Sequence, residues 1–156
     1  MRIIISHILL GILIVACSSV AKDSGTENKE RNIVIKFSKS ACYGKCKVYN
    51  ITVRNSIMEL QAKENTPLLG EFTSELTPDE LDNLFKIIDS NQLMSNTKNE
   101  LYDQELTDLP HTELNISVDN MYKSIRYRSQ APKSVAEIDK FFKSTIEELH
   151  RWESKK

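Results

Sequence analysis

The sequence predicts an α+β domain: an antiparallel sheet of about five to six strands with two amphipathic helices on one face. Two observations predict this class. Segments with strand periodicity come in consecutive pairs joined by short turns, which is typical of antiparallel hairpins. Two later segments repeat apolar residues at helical spacing behind helix-start signals. Helices that follow hairpins in this way are expected to cover one face of the sheet.

The strands are predicted from alternating apolar and polar residues, the period of a half-buried strand. Two-residue turns are expected at Asn55-Ser56 and at Asp119-Asn120. Between the fourth strand and the last hairpin, the sequence predicts one helix and a long polar connection that ends near His111. The predicted strands are residues 32–38, 49–53, 57–62, 69–74, 114–118 and 121–128.

Each helix is predicted from a capping box followed by an apolar stripe. The first box is Thr77-Pro78-Asp79-Glu80, with proline at the first helical position. The second, Ser134-Val135-Ala136-Glu137, follows Pro132. The first stripe, which is expected to be buried, is Leu81, Leu84, Phe85 and Ile88. The second is Ile138, Phe141, Phe142, Ile146, Leu149 and Trp152, of which we interpret Phe141, Phe142 and Trp152 as core.

The N-terminus has the features of a secretory signal. Arg2 precedes an apolar run over residues 3–16, and as a helix this run spans only about 21 Å, short of a bilayer core. The run ends Leu13-Ile14-Val15-Ala16-Cys17, which resembles the lipobox of bacterial lipoproteins. That resemblance implies cleavage after Ala16 and acylation of Cys17. Several acyl chains anchor a protein stably, so the chain is expected to be attached to a membrane without crossing it.

These features divide the chain into four parts. Residues 1–16 are the expected signal peptide, and residues 17–31 are the lipidated cysteine and a polar tether. Residues 32–152 form the single α+β domain, and residues 153–156 form a polar tail. Ser18 follows the lipobox cysteine in place of aspartate, which favours sorting to the outer membrane. The sequence leaves open whether the domain lies on the periplasmic or the surface face.

Composition excludes several functions. The 21 basic and 22 acidic residues give a net charge of −1, so the chain lacks the clustered positive charge that nucleic-acid binding needs. With four glycines in total, a glycine-rich phosphate loop cannot be built. No hydrolase or zinc-peptidase signature occurs. No cofactor is predicted.

Once Cys17 is lipidated, Cys42 and Cys46 remain as an even pair in a compartment where disulfides form. Gly44 between them lets the loop fold back, so a structural disulfide is the favoured interpretation. Two alternatives stay open. A thiol oxidoreductase would use the same pair, although the spacing differs from C-x-x-C. A zinc site would need His111 and His150 as further ligands, and it is the least favoured.

The segment Cys42-Tyr43-Gly44-Lys45-Cys46-Lys47-Val48-Tyr49 resembles the hallmark of an uncharacterised domain family found mostly in bacterial envelope lipoproteins. That hallmark is Cys, Phe or Tyr, Gly, any residue, Cys, Pro, any residue, Tyr, and Lys47 departs from it. Weaker matches are Thr107-Asp108-Leu109-Pro110 and Ala131-Pro132-Lys133. The resemblance implies motif residues at Tyr43, Gly44, Tyr49, Thr107, Asp108 and Pro110. It implies no catalytic residue.

Two further clusters were considered as sites. Tyr102, Asp103, Glu105, Asp108 and His111 share one loop, which we interpret as a solvated acidic loop rather than an acid–base or cation site. In the last hairpin, Tyr122 and Tyr127 interleave with a small basic patch. Its residues, Lys123, Arg126 and Arg128, are expected to form a solvated strand face or a weak contact with an acidic glycan or lipid head group.

These observations predict a lipid-anchored envelope protein of unknown molecular activity, most simply a non-enzymatic binding or structural module with a Cys42–Cys46 disulfide. The expected contacts are the membrane, through the acyl chains, and an envelope protein or glycan, but no nucleic acid. A periplasmic thiol–disulfide oxidoreductase and a small inhibitor-type binder are the alternatives.

Overall fold

The computed structural model describes residues 32–90, 92–95, 98–103 and 105–155. The predicted signal peptide, Cys17 and the tether lie outside these residues. A short 3₁₀ turn, Leu149–Arg151, follows the second helix. The strands are β1 (Ile33–Lys39), β2 (Val48–Arg54), β3 (Ile57–Glu64), β4 (Gly70–Glu75), β5 (Glu100–Leu101), β6 (Thr112–Val118), β7 (Met121–Tyr127) and β8 (Glu153–Ser154), and the helices are α1 (Pro78–Ser90) and α2 (Lys133–Glu147).

The strands form one sheet in the order β5-β7-β6-β1-β2-β3-β4-β8. The six predicted strands pair antiparallel with one another, and the α+β class is confirmed. The prediction of a purely antiparallel sheet of five to six strands is wrong in two respects. β5 pairs parallel to β7, which makes the sheet mixed. β8 adds an edge strand to β4 from within the predicted polar tail.

Neither of the two short strands carries apolar periodicity, because each is positioned by a tertiary contact. Glu100, the first residue of β5, forms an ion pair with Lys123 on β7, whose side chain is buried. Next to β8, Trp152 is buried and its indole N–H donates to the carbonyl of Thr145 at 3.1 Å. That contact sets the following residues beside β4, where the backbone N–H of Lys155 donates to the carbonyl of Glu71.

The apolar residues of the strands share one face, which both helices cover. Phe37 on β1 packs against Phe142 on α2 with ring centroids 5.1 Å apart. Leu84 and Ile88 bring α1 into the same buried cluster. Of the three aromatic residues of the second stripe that were predicted to be core, Phe142 and Trp152 are buried, whereas Phe141 is only partly buried. The opposite face of the sheet is polar.

The two helix starts differ. At α1 the predicted capping box is confirmed: the Glu80 N–H donates to the Thr77 hydroxyl, and the Thr77 N–H donates to the Glu80 carboxylate. At α2 the predicted box is wrong. The helix begins at Lys133 behind Pro132, without a side-chain cap, and Ser134 is buried. The proline fixes φ for the helix entry.

Among the described residues, no helix combines the length and apolar character that a bilayer crossing requires.

Candidate functional site at the disulfide-bonded end of the sheet

Three segments that are far apart in sequence meet at one end of the sheet. They are the Cys42–Cys46 loop after β1, the connection that ends before β6, and the segment between β7 and α2. The strand register brings them together, because Lys39 pairs with both Thr112 and Tyr49, and Thr112 pairs with Tyr127. The first two segments are also hydrogen bonded to each other. The Ser40 backbone N–H donates to the His111 carbonyl at 3.0 Å, and the His111 N–H donates to the Ser40 hydroxyl.

The disulfide closes the first segment. Cys42 and Cys46 are bonded through sulfur, with their Cα atoms 5.8 Å apart. Gly44 has a φ of +149°, a region that favours glycine, and its N–H donates to the Cys42 carbonyl. The side-chain amide of Asn65 donates to the Cys46 carbonyl at 2.9 Å, which ties the loop to the end of β3.

The last transverse row of the helix-facing side is polar. Tyr127, Thr112 and Tyr49 are buried in this row, and Lys39 is mostly buried. Above them lies Asp139 on α2, and each of its two carboxylate oxygens is 3.1 Å from the Lys39 ammonium nitrogen. Lys143, one turn further along α2, contacts the same carboxylate at 3.0 Å. Two lysines therefore share one buried carboxylate, which leaves a net positive charge.

Burial controls the protonation of this row. It lowers the pKa of Lys39, while the nearby Asp139 carboxylate opposes the shift. Burial also raises the pKa values of Tyr49 and Tyr127 well above their usual range, and Asp139 raises both further. Both hydroxyls thus keep their protons. The Tyr127 hydroxyl interacts with the side chains of Thr112 and Asp139, whereas the Tyr49 hydroxyl has no hydrogen-bond partner within the part of the chain that the structure describes.

A cleft of about 510 Å³ opens between the disulfide loop and α2. Its volume falls in the range of small-ligand sites, which is about 300–1,000 Å³. Four lysines and one glutamate supply its charged groups, and Lys47 forms an ion pair with Glu147. The cleft is lined by Lys39, Cys46, Lys47, Tyr49, Pro110, Lys140, Lys143, Ser144 and Glu147.

The predicted motif residues separate into two groups. Cys46, Tyr49 and Pro110 line the cleft. Tyr43 is 97% exposed at the tip of the loop, and Thr107 and Asp108 are exposed in the second segment. Arg128 donates to the carbonyls of residues 107 and 109, so this part of the connection is fixed through its backbone.

The acidic loop does not assemble into a site. Asp103 accepts hydrogen bonds from the backbone N–H groups of residues 129 and 130, which fixes the approach to α2. Tyr102 donates to Glu100, which also binds Lys123. His111 is partly buried, and burial lowers its pKa. Across the described residues, no three Cys, His, Asp or Glu side chains are grouped as a metal would require.

The predicted basic patch of the last hairpin is divided between the two faces of the sheet, so the prediction of one patch is wrong. Lys123 and Tyr127 are buried on the helix-facing side. Arg126 lies on the open side and pairs with Glu113 at 2.7 Å. The reason is the strand period of two, which sends neighbouring residues to opposite faces.

Sequence reasoning missed the lysine–aspartate group of the cleft. A signal was present, because Lys39 continues the inward-facing positions of β1 after Ile33, Ile35 and Phe37. Asp139 likewise lies next to Ile138 in the stripe of α2. A charged residue in phase with a buried stripe indicates a partner in the core.

The described residues thus form a small α+β domain with a lysine-lined cleft beside a disulfide loop. Its residues 33–146 match a domain family of unknown function, DUF6438, and the chain belongs to this family. The match agrees with the predicted resemblance to an uncharacterised domain family. No curated protein is significantly similar to the chain.

Proposed function

We propose that this protein is a non-enzymatic binding module of the bacterial envelope, anchored to the outer membrane through acylated Cys17. The support for the anchor is the lipobox, which ends an apolar run too short to span a bilayer. The polar residues 18–31 then separate the cysteine from the domain and supply a tether.

One observation carries the proposed binding role: two motif segments, the disulfide loop and the connection that ends at Pro110, line one cleft together with α2. Loops held on a rigid sheet are common positions for binding residues. Because two lysines share Asp139 and Lys140 has no ion-pair partner within the described residues, the cleft favours a negatively charged group. We assign it to an acidic segment of an envelope protein.

The direction of the chain supports this assignment. β1 begins at Ile33 and runs seven residues toward the disulfide, so the tether joins the sheet at the end opposite the cleft. At about 3.3 Å per residue, β1 separates the two ends by roughly 23 Å. An anchor upstream of Ile33 would therefore attach at a distance from the cleft and leave the cleft open to a partner.

The surroundings of the disulfide favour a structural role over the alternative of a thiol oxidoreductase. Low thiol pKa values arise at helix N-termini or next to a cation that is free to act on the sulfur. Here Cys46 is followed by β2, and the Lys47 ammonium is engaged by Glu147. A structural bridge would resist mild reductant, and the pair would show no turnover in a dithiol-exchange assay.

The anchor is tested by expressing the full chain and Cys17→Ala in a bacterium with two membranes, with metabolic labelling by an alkyne fatty acid. We expect labelled protein in the outer-membrane fraction for the native chain and no label for the variant. Equal labelling of the two proteins would exclude Cys17 as the site of acylation.

The binding role is tested in the bacterium that carries the gene, with a photoreactive amino acid at Ser144 in the cleft. We expect one discrete adduct, which Lys140→Glu abolishes and Lys86→Glu, an exposed charge reversal on α1, preserves. An adduct that is insensitive to Lys140→Glu, or no adduct at all, would contradict binding in the cleft.

A further inference from the structure

The side of the sheet that faces away from the helices carries a second group of polar residues. Along the middle of this side, Asn115 on β6, Lys36 on β1 and Thr52 on β2 are cross-strand neighbours. Ser117, Val34 and Arg54 form the next row in the same order. The face is solvent-accessible, with few apolar side chains.

Two cations lie close together on this face. Lys36 and Arg54 occupy diagonal positions on β1 and β2, which places their Cβ atoms about 7–8 Å apart. Neither has an ion-pair partner among the residues that the structure describes. Other charges of the same face are paired, as Arg126 is with Glu113 and Glu59 is with Lys155. Glu59 lies close enough to act on Arg54 electrostatically, but its carboxylate is hydrogen bonded to Lys155, so the pair of cations still favours an anion beside them.

Hydrogen-bonding groups surround the two cations. Lys36, Arg54 and Asn115 line two adjoining depressions of about 310 and 460 Å³. The first also contains Ser117 and Tyr122, and the Tyr122 hydroxyl donates to the Asn115 side-chain oxygen at 2.8 Å. That bond holds the tyrosine ring at the rim, where the residue is 52% exposed. The second depression extends over the side chains of Ser38, Asn50, Thr52, Glu59 and Gln61.

We propose that this open face of the sheet binds an acidic glycan. The two cations would bind a sugar carboxylate, the amides and hydroxyls would bind sugar hydroxyl groups, and the Tyr122 ring offers an apolar surface for the face of a sugar. An elongated polar depression fits an extended glycan chain better than an apolar peptide or a lipid surface, because both of these require exposed hydrophobic side chains. This face lies on the other side of the sheet from the cleft, so the two proposals fail independently.

The test uses the full chain in mild detergent and biotinylated polygalacturonate, an acidic polyuronate, in a biolayer binding assay. We expect saturable binding that Lys36→Glu/Arg54→Glu weakens at least tenfold and Tyr122→Ala weakens severalfold. The matched control, Lys86→Glu/Lys133→Glu, reverses two exposed charges on the helix side, outside the cleft, and should leave glycan binding unchanged. All the altered residues are exposed, and thermal melts verify that each variant is folded.

Three competitors identify the ligand class. Neutral dextran should not compete, inorganic phosphate should compete only weakly, and single-stranded DNA should bind less tightly than polygalacturonate. If phosphate competed as well as the polyuronate at equal charge concentration, the surface would be a general anion site and not a glycan site, which would overturn the proposal. Equal weakening by the helix-side control, tighter binding of DNA, or no binding of polygalacturonate would overturn it as well.

Discussion

The structure makes its sharpest stability prediction for the removal of the Asp139 charge. Its carboxylate contacts the ammonium groups of Lys39 and Lys143, and its side chain is 12% exposed while that of Lys39 is 14% exposed. Asp139→Asn keeps the shape of the side chain but removes its charge. The Lys39 ammonium then remains beside Phe37, 5.8 Å from the ring centroid, without its counterion in a largely buried position.

The magnitude follows from this burial. Removing one partner of a fully buried pair costs about 3–5 kcal/mol. Because each side chain keeps some contact with solvent and asparagine still accepts a hydrogen bond, we expect a loss of about 2–3 kcal/mol. For a domain of this size, that loss lowers Tm by roughly 6–15 °C.

Chemical denaturation of residues 32–156 measures the effect, with Asp82→Asn as a matched substitution at an exposed site of α1. A double variant, Lys39→Met/Asp139→Leu, removes both charges and should recover much of the lost stability, since apolar replacement of a buried pair is often tolerated. The reasoning is refuted if the free energy of unfolding of Asp139→Asn lies within about 0.5 kcal/mol of the native value, because ordinary surface substitutions have effects of that size. A double variant no more stable than Asp139→Asn would refute it too.

Three other changes have expected outcomes. Replacing both Cys42 and Cys46 by alanine should cost about 2 kcal/mol in denaturant melts, because a loop this short restricts the unfolded chain only modestly. Phe142→Ala should cost about 3–5 kcal/mol in the same assay, as for a fully buried aromatic residue, whereas a cost below 1 kcal/mol would contradict the described core. Arg151 donates hydrogen bonds from two guanidinium nitrogens to the Glu80 carboxylate, and this contact holds the pKa of Glu80 below its ordinary value of 4.5. The stability from this pair is present above that value and is lost as the pH falls through the lowered pKa, so the native domain should lose more stability between about pH 5 and 3 than Glu80→Gln does.

The sequence was sufficient to predict the elements that carry their own periodicity. Most of the long strands, β1, β2, β3 and β6 most clearly, alternate inward apolar residues with outward polar ones, and the α1 capping box is local to residues 77–80. The strands β5 and β8 could not be predicted, because each is two residues long and depends on a distant contact. Those contacts are the Lys123–Glu100 pair and the burial of Trp152.

The candidate sites show the same division. The sequence by itself determined that Cys42 and Cys46 are four residues apart around a glycine, and the segments near residues 42–49, 107–110 and 131–133 resemble parts of one family pattern. Only the tertiary structure decided that these segments meet at one end of the sheet, beside Asp139 and its two lysines. The physical reason is strand register: the pairing of Lys39 with Thr112 and with Tyr49 is a long-range choice, made by the packing of a whole face against two helices.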